Sequence, residues 1–495
     1  GTPVVLLSAT LPEGLRSELL EAYGAGRRVS DAASDAARPK LQRDCASSGC
    51  LVSETDGPDE AYPRITVADA DAVRAYAPEP SGRAYDVTVR PMGDEVPELI
   101  KLVGQLASGG GCIGVICDTV ARAQEAASSL AEVYGSEVLL AHARFTDADR
   151  MAREARLRAL LGPAATLQNG LRPHRLIVVG TQVLEQSLDI DFDALITDVA
   201  PIDLLFQRMG RMHRHDRGAA GRPKCLQLPM CYIRGVREWT DDGPTFDRGV
   251  SRVYCPATLM EACAVLGITA PDGTASVQLP GDIASMVRRA YGDRVADMIP
   301  LAWRDAYDRA VGKRNDALDK KRRKADTFLI DSAQVLLKNG APLTSWCADP
   351  ADPVRRDADW GPRAVRDTTE TVEVLLLRSD VGNLRLLPWI GDVEHGVEAG
   401  STVPTDMAPR GRLQAVIANS AVRLPAALCS PDNIDELISE LEKRCGSLLG
   451  AWRDAPLLAG SLVLVLEDIG NGVFGTDLCG RFIRYDERVG IIIDK

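Results

Sequence analysis

The sequence predicts an α/β protein built on a parallel, doubly wound sheet, followed by a helical linker region and a small α+β terminal domain. Two observations lead to this prediction. Between residues 84 and 235, short apolar runs alternate with amphipathic stretches of helical length, and strands that alternate with helices are typical of a parallel sheet. From residue 363 onward the pattern changes to short β-type runs with one amphipathic helix among them.

The elements of the doubly wound domain follow from the hydrophobic pattern. Apolar, β-branched runs predict buried strands, and apolar residues at intervals of three and four predict helices. The predicted strands are Tyr85–Arg90, Cys112–Cys117, Glu137–Ala141, Arg175–Val179 and Ala194–Val199, and the predicted helices are Val96–Leu106, Val120–Tyr134, Thr146–Leu161 and Leu204–His213.

The flanks of this domain carry further predicted elements. Val4–Leu7 has the pattern of a buried parallel strand, and such a strand at a chain end indicates missing neighbours, because parallel sheets are covered on both faces. We therefore expect the chain to be the carboxyl-terminal part of a longer protein. Downstream, the sequence predicts helices at Tyr254–Leu266, Pro280–Tyr291, Trp303–Gln334 and Asn433–Arg444, and short strands at Thr371–Leu377, Leu413–Ile417, Ser461–Leu466 and Gly490–Ile493.

The composition argues against several classes of protein. The 495 residues carry a formal net charge of -12, which disfavours a protein that coats nucleic acid with its whole surface but leaves room for a local basic groove. The 12 cysteines include no CxxC pair, which favours reduced thiols in a cytoplasmic protein. No apolar run approaches the ~20 residues of a membrane helix, and the 5 scattered histidines predict no metal centre.

The most informative stretch, Val178 to Arg217, combines a buried strand, a polar turn, a second strand and a helix dense in cations. Asp203 is the predicted N-cap of that helix. Gln207, Arg211 and Arg214 are spaced at i, i+4 and i+7, which places them on one helical face. A cationic face beside a strand end predicts a phosphate-binding site. The alternative is a surface helix whose arginines point into water.

Four motifs, in this order, carry a family resemblance: LLSATLP at residues 6–12, HARFTDADR at 142–150, GTQVLEQSLDIDFDALITDVAPIDLLFQRMGRMHRH at 180–215, and an ending that contains LVLVLED at 462–468 and RYDERVGIII at 484–493. With them the chain resembles a superfamily 2 helicase, specifically the carboxyl-terminal part of the CRISPR-associated helicase–nuclease that Cascade recruits in type I systems. The resemblance implies a RecA-like helicase fold. Its implied domains are 1–35, the end of a first RecA-like domain; 36–83, a connecting segment; 84–235, the second RecA-like domain; 236–340, the helical linker region; and 341–495, a carboxyl-terminal accessory domain.

The resemblance also implies roles for individual residues. Those that would contact nucleic acid or couple nucleotide hydrolysis to movement are Ser8, Ala9, Thr10, Thr181, Gln182, Glu185, Gln186 and Arg208. Those that would face the nucleotide are Asp189, Gln207, Arg211 and Arg214. Gln207, Arg211 and Arg214 would act in catalysis as part of an arginine-finger motif, with Arg211 and Arg214 directed at the γ-phosphate.

ATP with Mg²⁺ is the implied cofactor. The sequence contains no GxxxxGKS or GxxxxGKT pattern and no DExH box ahead of the SAT motif. We therefore expect the phosphate cradle and the metal ligands in an amino-terminal part, together with an HD nuclease. The implied partners are single-stranded DNA, the Cascade surveillance complex and that amino-terminal part, and the chain alone is expected to be inactive. The alternative function is a non-catalytic DNA- or Cascade-docking module from a truncated or split gene.

Two further groups of basic residues each allow two interpretations. His142, Arg144 and Arg150 follow a predicted strand, and they either contact a nucleic-acid backbone or have a structural role. Lys313 to Lys324 is the most basic stretch, and it is either a solvated helix face or a phosphate contact.

Overall fold

The structure is a computed structural model that describes residues 4–8, 10–35, 62–69, 72–79, 82–185, 188–326 and 371–494. No helix in these ranges is long and apolar enough to span a membrane. The helices are α1 (Glu13–Asp35), α2 (Val96–Leu106), α3 (Val120–Tyr134), α4 (Asp147–Leu161), α5 (Ile202–Met209), α6 (Arg248–Val253), α7 (Pro256–Leu266), α8 (Ile283–Tyr291), α9 (Arg304–Asp326), α10 (Arg412–Ala418) and α11 (Ile434–Ala451). The strands are β1 (Ile65–Ala68), β2 (Val73–Tyr76), β3 (Tyr85–Pro91), β4 (Gly111–Ile116), β5 (Val138–Ala141), β6 (Arg175–Gly180), β7 (Ala194–Asp198), β8 (Met230–Arg234), β9 (Val236–Thr240), β10 (Gly243–Phe246), β11 (Ala275–Leu279), β12 (Glu373–Asp380), β13 (Asn383–Arg385), β14 (Thr402–Val403), β15 (Ala421–Arg423), β16 (Leu462–Gly470), β17 (Val473–Leu478), β18 (Arg481–Asp486) and β19 (Gly490–Ile493).

The first sheet contains β11, β3, β8, β7, β4, β6 and β5, in that order across the sheet. All neighbours pair in parallel except β11, which is antiparallel to β3. The crossovers between parallel strands run through α2, α3, α4 and α5, so the predicted parallel, doubly wound architecture is confirmed. Because β11 lies inside the predicted linker region 236–340, that region is not purely helical. The boundaries of the five domains stay a prediction.

Both faces of the first sheet are covered. Successive side chains of a strand point to opposite faces, and β4 is buried along its whole length. Ile113 and Val115 belong to the core that includes residues of α2 and α3, whereas Cys112 and Ile116 belong to the core that includes residues of α5, α7 and α8. The core on the α2 and α3 side continues into the carboxyl-terminal part of the chain.

The second sheet, which we call the terminal sheet, contains β14, β13, β12, β16, β17, β18 and β19, and β15 pairs with β12 as well. β12 and β16 are parallel, and the other neighbours are antiparallel. Leu437 and Leu441 of α11 are buried in the core of this sheet. The result is the small α+β unit that the sequence predicted.

The predicted strand Val4–Leu7 is wrong. Residues 4–8 form no strand, and Leu7 is 93% exposed. A β-strand is stable only when a neighbouring strand pairs with its backbone N–H and C=O groups, and no strand within the described ranges pairs with this segment. The apolar run is instead a row of exposed side chains.

The predicted strand Leu413–Ile417 is also wrong, because these residues lie in α10 (Arg412–Ala418). A short apolar run fits a buried helix as well as a strand, and hydrophobic periodicity alone does not separate them. In the structure Val416 and Ile417 of this helix are buried in the core of the terminal sheet.

Candidate functional site

The loop between β6 and β7, residues 181–193, begins with residues that the sequence assigns to nucleic-acid contact and coupling. We call it the TQ loop. Thr181 is buried, and its backbone N–H donates to the Ala141 carbonyl at 3.2 Å. Gln182 is half-buried, and its Nε2 donates to the Asp118 carbonyl at 3.1 Å. Since Ala141 ends β5 and Asp118 follows β4, these bonds tie the loop to the carboxyl ends of neighbouring strands.

Arg208 projects from α5 into the interior and holds the TQ loop in place. Its guanidinium is fully buried and forms ion pairs with Asp118 and Glu185, each at 2.9 Å. It also donates to the Thr197 hydroxyl at 2.9 Å and to the Asp198 carbonyl at 3.0 Å. Burial raises the pKa of the Asp118 carboxyl, and Arg208 opposes that rise. Arg208 and the buried Glu185 thus brace the interior of the domain.

The helix that carries the predicted arginine finger is shorter than the sequence indicates. α5 spans Ile202–Met209 rather than Leu204–His213. Gln207 lies on this helix, half-buried, whereas Arg211 and Arg214 lie beyond its end. The prediction that all three share one helical face is therefore wrong.

A pairing with the TQ loop ends the helix. The Phe192 N–H donates to the Arg211 carbonyl at 2.8 Å, and the His213 N–H donates to the Phe192 carbonyl at 3.0 Å. These bonds take the backbone away from helical geometry just after Gly210, a residue type that weakens helices. The Phe192 ring in turn packs on Gly114 of β4, where an added Cβ would lie 2.7 Å from the ring. A contact between distant segments thus overrides the local helical pattern.

Asp203 is not the N-cap of α5, as the sequence predicted. Pro201 occupies the cap position, without a side-chain hydrogen bond to the helix. Asp203 instead accepts a hydrogen bond from the Tyr291 hydroxyl of α8 at 2.5 Å. The helix start is therefore fixed by packing against a neighbouring helix.

The SAT motif lies beside the start of α5. The Thr10 hydroxyl is 3.5 Å from the Asp203 carboxylate, and the exposed Ser8 donates through its hydroxyl to the Thr10 carbonyl at 2.7 Å. Two residues with predicted roles, Ala9 and Gln186, lie outside the described residues. Of the coupling residues, the structure thus brings Thr10 toward the helix that carries Gln207.

The two predicted finger arginines differ in environment. Arg211 donates to the carbonyl of Glu185 at 2.7 Å and also to that of Leu188, and burial lowers the pKa of its guanidinium. Arg214 is 43% exposed and donates through Nε to Asp189 at 2.7 Å. This hydrogen bond holds the pKa of Asp189, itself 53% exposed, below its usual value. Arg211 braces the TQ loop, and Arg214 presents its charge at the surface.

A buried cluster that the sequence did not predict lies at the other end of the TQ loop. Asp191 and Asp193 are almost completely buried, and three arginines surround them. Arg222 bonds to Asp191 at 2.9 Å, Arg172 bonds to Asp193 at 2.8 Å, and Arg217 pairs with Asp191. The alternation LDIDFD, with Arg172, Arg217 and Arg222 nearby in the chain, was the available signal. The family resemblance assigns a role to Asp189 but none to Asp191 or Asp193.

Asp198, at the end of β7, is the centre of a second unpredicted ion-pair network. It accepts from Arg122 at 2.7 and 2.8 Å and lies 3.7 Å from Arg234 of β8. Arg122 also pairs with Asp94 at 2.6 Å. Donors from these arginines hold the pKa of the buried Asp198 below its ordinary value, against the effect of burial. The network connects the carboxyl ends of β3, β7 and β8.

The loop after β5 is covered by the end of the chain. His142 is buried, and its Nε2 lies 3.0 Å from the Val489 carbonyl. Burial lowers the pKa of His142 to about 3, and the cations Arg144 and Arg153 act in the same direction. For His142 the structural role, one of the two interpretations, is the one that the contacts support. Arg150 is half-exposed and pairs with Asp147 at 2.9 Å.

The basic end of α9 is exposed in the described part of the helix. Arg314 is the exception, since it bonds to Glu261 of α7 at 2.8 Å. Among the described residues no cluster of His, Cys, Asp and Glu has the arrangement of a metal site.

Two family descriptions match the parts of the chain that contain these features. The description "CRISPR-associated nuclease/helicase Cas3, C-terminal" matches residues 109–217. The description "Cas3 C-terminal domain" matches residues 366–491. The first range contains the TQ loop and α5, and the second contains the terminal sheet. The chain belongs to the Cas3 nuclease/helicase family and contains its carboxyl-terminal region.

Curated Cas3 proteins are similar to all or to a large part of the chain. The CRISPR-associated nuclease/helicase Cas3 of Streptococcus thermophilus is 30% identical over 498 residues, which cover 100% of this chain and 48% of that relative. The Cas3 of Thermus thermophilus is 29% identical and covers 68% of this chain and 36% of its own length. The chain thus spans about half the length, or less, of the curated relatives it matches.

Solved Cas3 structures have the same fold. The crystal structure of T. fusca Cas3-AMPPNP matches with a TM-score of 0.69 and 25% identity, over 99% of this chain and 50% of that chain. A CRISPR RNA-guided surveillance complex, pre-nicking, contains a chain with a TM-score of 0.68 and 26% identity, over 99% of this chain and 53% of that chain. These matches confirm the predicted RecA-like, superfamily 2 helicase fold.

Proposed function

We propose that this chain is the carboxyl-terminal part of an ATP-dependent translocase or helicase that moves on single-stranded DNA and acts with an HD nuclease in CRISPR interference. The observation that carries the proposal is the half-exposed Arg214–Asp189 pair, at the surface of a TQ loop that is otherwise braced from inside. One relative of the same fold, T. fusca Cas3, has been solved both as Cas3-AMPPNP and as Cas3-ATP, which supports nucleotide use.

Arg214 has the properties of a residue that meets a phosphate. Its ion pair with Asp189 is exposed, and exposed pairs contribute only about 0–1 kcal/mol, so the carboxylate is easily exchanged for another anion. Arginine presents a planar fork of donors that matches phosphate oxygens. In phosphoryl transfer such a guanidinium stabilises the charge that develops on the transferred group and can contribute ~10³–10⁵ in rate. We assign the finger role to Arg214.

Arg211 and Gln207 complete the nucleotide-facing set in different ways. The guanidinium of Arg211 is bonded to the carbonyls of Glu185 and Leu188, so in this conformation it positions the TQ loop. Gln207 is half-buried on α5. Asp189 forms the ion pair that positions Arg214. The Walker-type cradle and the Mg²⁺ ligands are proposed to come from an amino-terminal part, across the cleft from these four residues.

We propose that the coupling residues connect the nucleotide-facing residues to the first sheet. Thr181, Glu185 and Arg208 are buried. We propose that they transmit movement of the TQ loop through the interior, and that strand contacts are made by the loop backbone and the half-buried Gln182. Phosphate contacts of this kind make movement independent of sequence. Ser8 and Thr10 are proposed to act from the other side, through the contact of Thr10 with Asp203.

The exposed segment 4–7 supports an amino-terminal partner. Val4, Val5, Leu6 and Leu7 are all more than half exposed, and contiguous apolar surface of this kind is typical of an interaction site. An amino-terminal helicase part would cover it and pair with its backbone. A surveillance complex is the second proposed partner, supported by the chain of like fold in a CRISPR RNA-guided surveillance complex.

Arg214→Ala in the protein joined to its amino-terminal part tests the proposal. DNA-stimulated ATP hydrolysis is expected to fall by ~10³-fold or more, while the free energy of unfolding stays unchanged. Arg211→Ala is expected to lower both, because buried carbonyls lose their donors. The control is Arg294→Ala, which removes an exposed arginine that also pairs with a carboxylate, Asp297, at 2.9 Å.

The outcomes separate the two candidate functions. If Arg214→Ala hydrolysed ATP at the wild-type rate in the presence of DNA, the assignment of Arg214 as the arginine finger would be contradicted. A wild-type assembly that binds DNA or the surveillance complex but never hydrolyses ATP would support the alternative, a non-catalytic docking module.

A further inference from the structure

One carboxylate, Asp149, connects the first sheet to the terminal sheet. It lies in the first turn of α4 and is 8% exposed. Its Oδ1 accepts from the Trp389 indole at 3.1 Å, and its Oδ2 accepts from the Tyr485 hydroxyl at 2.5 Å and from the Thr146 hydroxyl at 2.9 Å. Trp389 and Tyr485 belong to the part of the chain that forms the terminal sheet, residues 371–494, which we call the terminal unit. Their rings stack with centroids 6.4 Å apart. Both units therefore share one buried acceptor.

The hydrogen bonds to Asp149 are also part of the start of α4. Thr146 is the N-cap of this helix, and its hydroxyl accepts from the Asp149 N–H at 3.2 Å. The Thr146 N–H, one of the donors that a helix start leaves without a helical partner, donates to the Tyr485 hydroxyl at 2.9 Å. The terminal unit thus supplies part of the cap of a helix in the first sheet's domain.

The last described strand, β19, adds further contacts between the two units. We call these contacts, together with those of Asp149, the joint. The Ile491 N–H donates to the Arg144 carbonyl at 3.0 Å, and Gln124 of α3 donates to the carbonyls of Val489 and Ile491 at 2.9 and 3.0 Å. Gly490 permits this approach, because a Cβ there would lie 2.6 Å from the Arg144 carbonyl oxygen. Backbone and side-chain contacts from one short segment therefore fix the loop after β5.

The joint lies next to the TQ loop. A small cavity beside it is lined by His142, Arg150 and Arg153 on one side and by Val183 and Leu188 of the TQ loop on the other. Arg153 lies over the Phe145 ring and donates to the Glu487 carbonyl of the terminal unit. A shift of the terminal unit would therefore move Arg153, which lines the same cavity as the TQ-loop residues Val183 and Leu188.

We propose that Asp149 is a positioning residue that makes the terminal unit move with the second RecA-like domain, and so keeps the TQ loop aligned during translocation. The choice of residue supports a positioning role. A buried carboxylate that accepts from three neutral donors stabilises the fold less than well-packed apolar side chains would, but it requires one geometry. The proposal rests on the proposed function, because it concerns the efficiency with which ATP hydrolysis produces movement.

The test compares Tyr485→Phe and Asp149→Asn with Asp147→Asn in the protein joined to its amino-terminal part. Asp147 lies in the same turn as Asp149 but is half-exposed and pairs with Arg150 at 2.9 Å, so it is the matched control. Two quantities are measured: hydrogen exchange of residues 482–494, and the number of base pairs unwound per ATP hydrolysed. Trp389→Phe replaces Asp149→Asn if that variant does not fold.

Both joint variants are expected to exchange about ten-fold faster over 482–494, the effect of losing a hydrogen bond to a buried charge. They are also expected to unwind several-fold fewer base pairs per ATP, with ATPase kcat unchanged. Asp147→Asn is expected to match the wild type in both. Faster exchange with normal unwinding per ATP would overturn the positioning role, and unchanged exchange would overturn the joint itself. A wild type without ATPase activity would refute the proposed function, while the exchange result would still decide on the joint.

Discussion

The loops that follow β5 and β6 begin at the same edge of the first sheet, and both are polar segments of the kind that binds ligands in α/β proteins. They have different surroundings. The loop after β5 and the first turn of α4 are covered by the terminal unit, so that His142 of the loop and Asp149 of the helix are buried. The TQ loop after β6 is braced from inside, yet it keeps Asp189 and Arg214 at the surface. Coverage, rather than residue type, separates the structural loop from the candidate ligand-binding loop.

The same contrast occurs within the TQ loop. Asp189 and Asp191 are two residues apart in LDIDFD, yet Asp189 is 53% exposed and Asp191 is completely buried among arginines. An exposed pair is screened by water and salt, whereas a buried ion pair loses several kcal/mol when one partner is removed. The comparison therefore predicts a graded set of effects.

The largest effect is expected for Asp191→Ala. This change leaves Arg217 and Arg222 buried without the carboxylate that they share, and breaking a buried pair costs ~3–5 kcal/mol. Urea denaturation would measure the free energy of unfolding. A loss below ~1 kcal/mol, the range of surface pairs, would show that the cluster is not a structural requirement.

An intermediate effect is expected from acid, through His142. Its folded-state pKa is about 3, and the ordinary value is about 6.5. Between these two pH values the unfolded chain binds a proton that the folded chain does not. The stability contributed by neutral His142 is therefore complete above pH ~6.5 and is lost as pH falls.

At pH 5 the loss amounts to about 2 kcal/mol, at ~1.4 kcal/mol per unit. Denaturation at pH 7 and pH 5 would measure it, with His142→Gln as the variant that lacks the titrating group. If wild type and His142→Gln lose stability equally between these pH values, the covered loop does not hold a neutral histidine.

The smallest effect is expected for Asp189→Ala. Because its pair with Arg214 is exposed, the free energy of unfolding should fall by no more than ~1 kcal/mol, and by less at high salt. The same denaturation series measures this change beside Asp191→Ala. Equal losses for the two aspartates would remove the distinction between the surface pair and the buried cluster.

The sequence by itself determined most of the helices and parallel strands of the first sheet's domain, and it indicated the family. Helices Val96–Leu106 and Val120–Tyr134 have the predicted bounds, because an amphipathic period of several turns is a strong local signal. The order of SAT, GTQVLEQSLDIDFD and QRMGRMHRH indicated the helicase family, since motif identity depends on residues and spacing alone.

Only the tertiary structure decided where the charged side chains lie. α5 ends at Met209 because the backbone beyond Gly210 pairs with Phe192, a contact that no local pattern reports. Arg208 is buried and Arg214 is half-exposed, although both belong to one motif. The solvent exposure of a side chain depends on which distant segments pack over it, and in this protein that packing separates the arginines that brace the TQ loop from the one that can meet a phosphate.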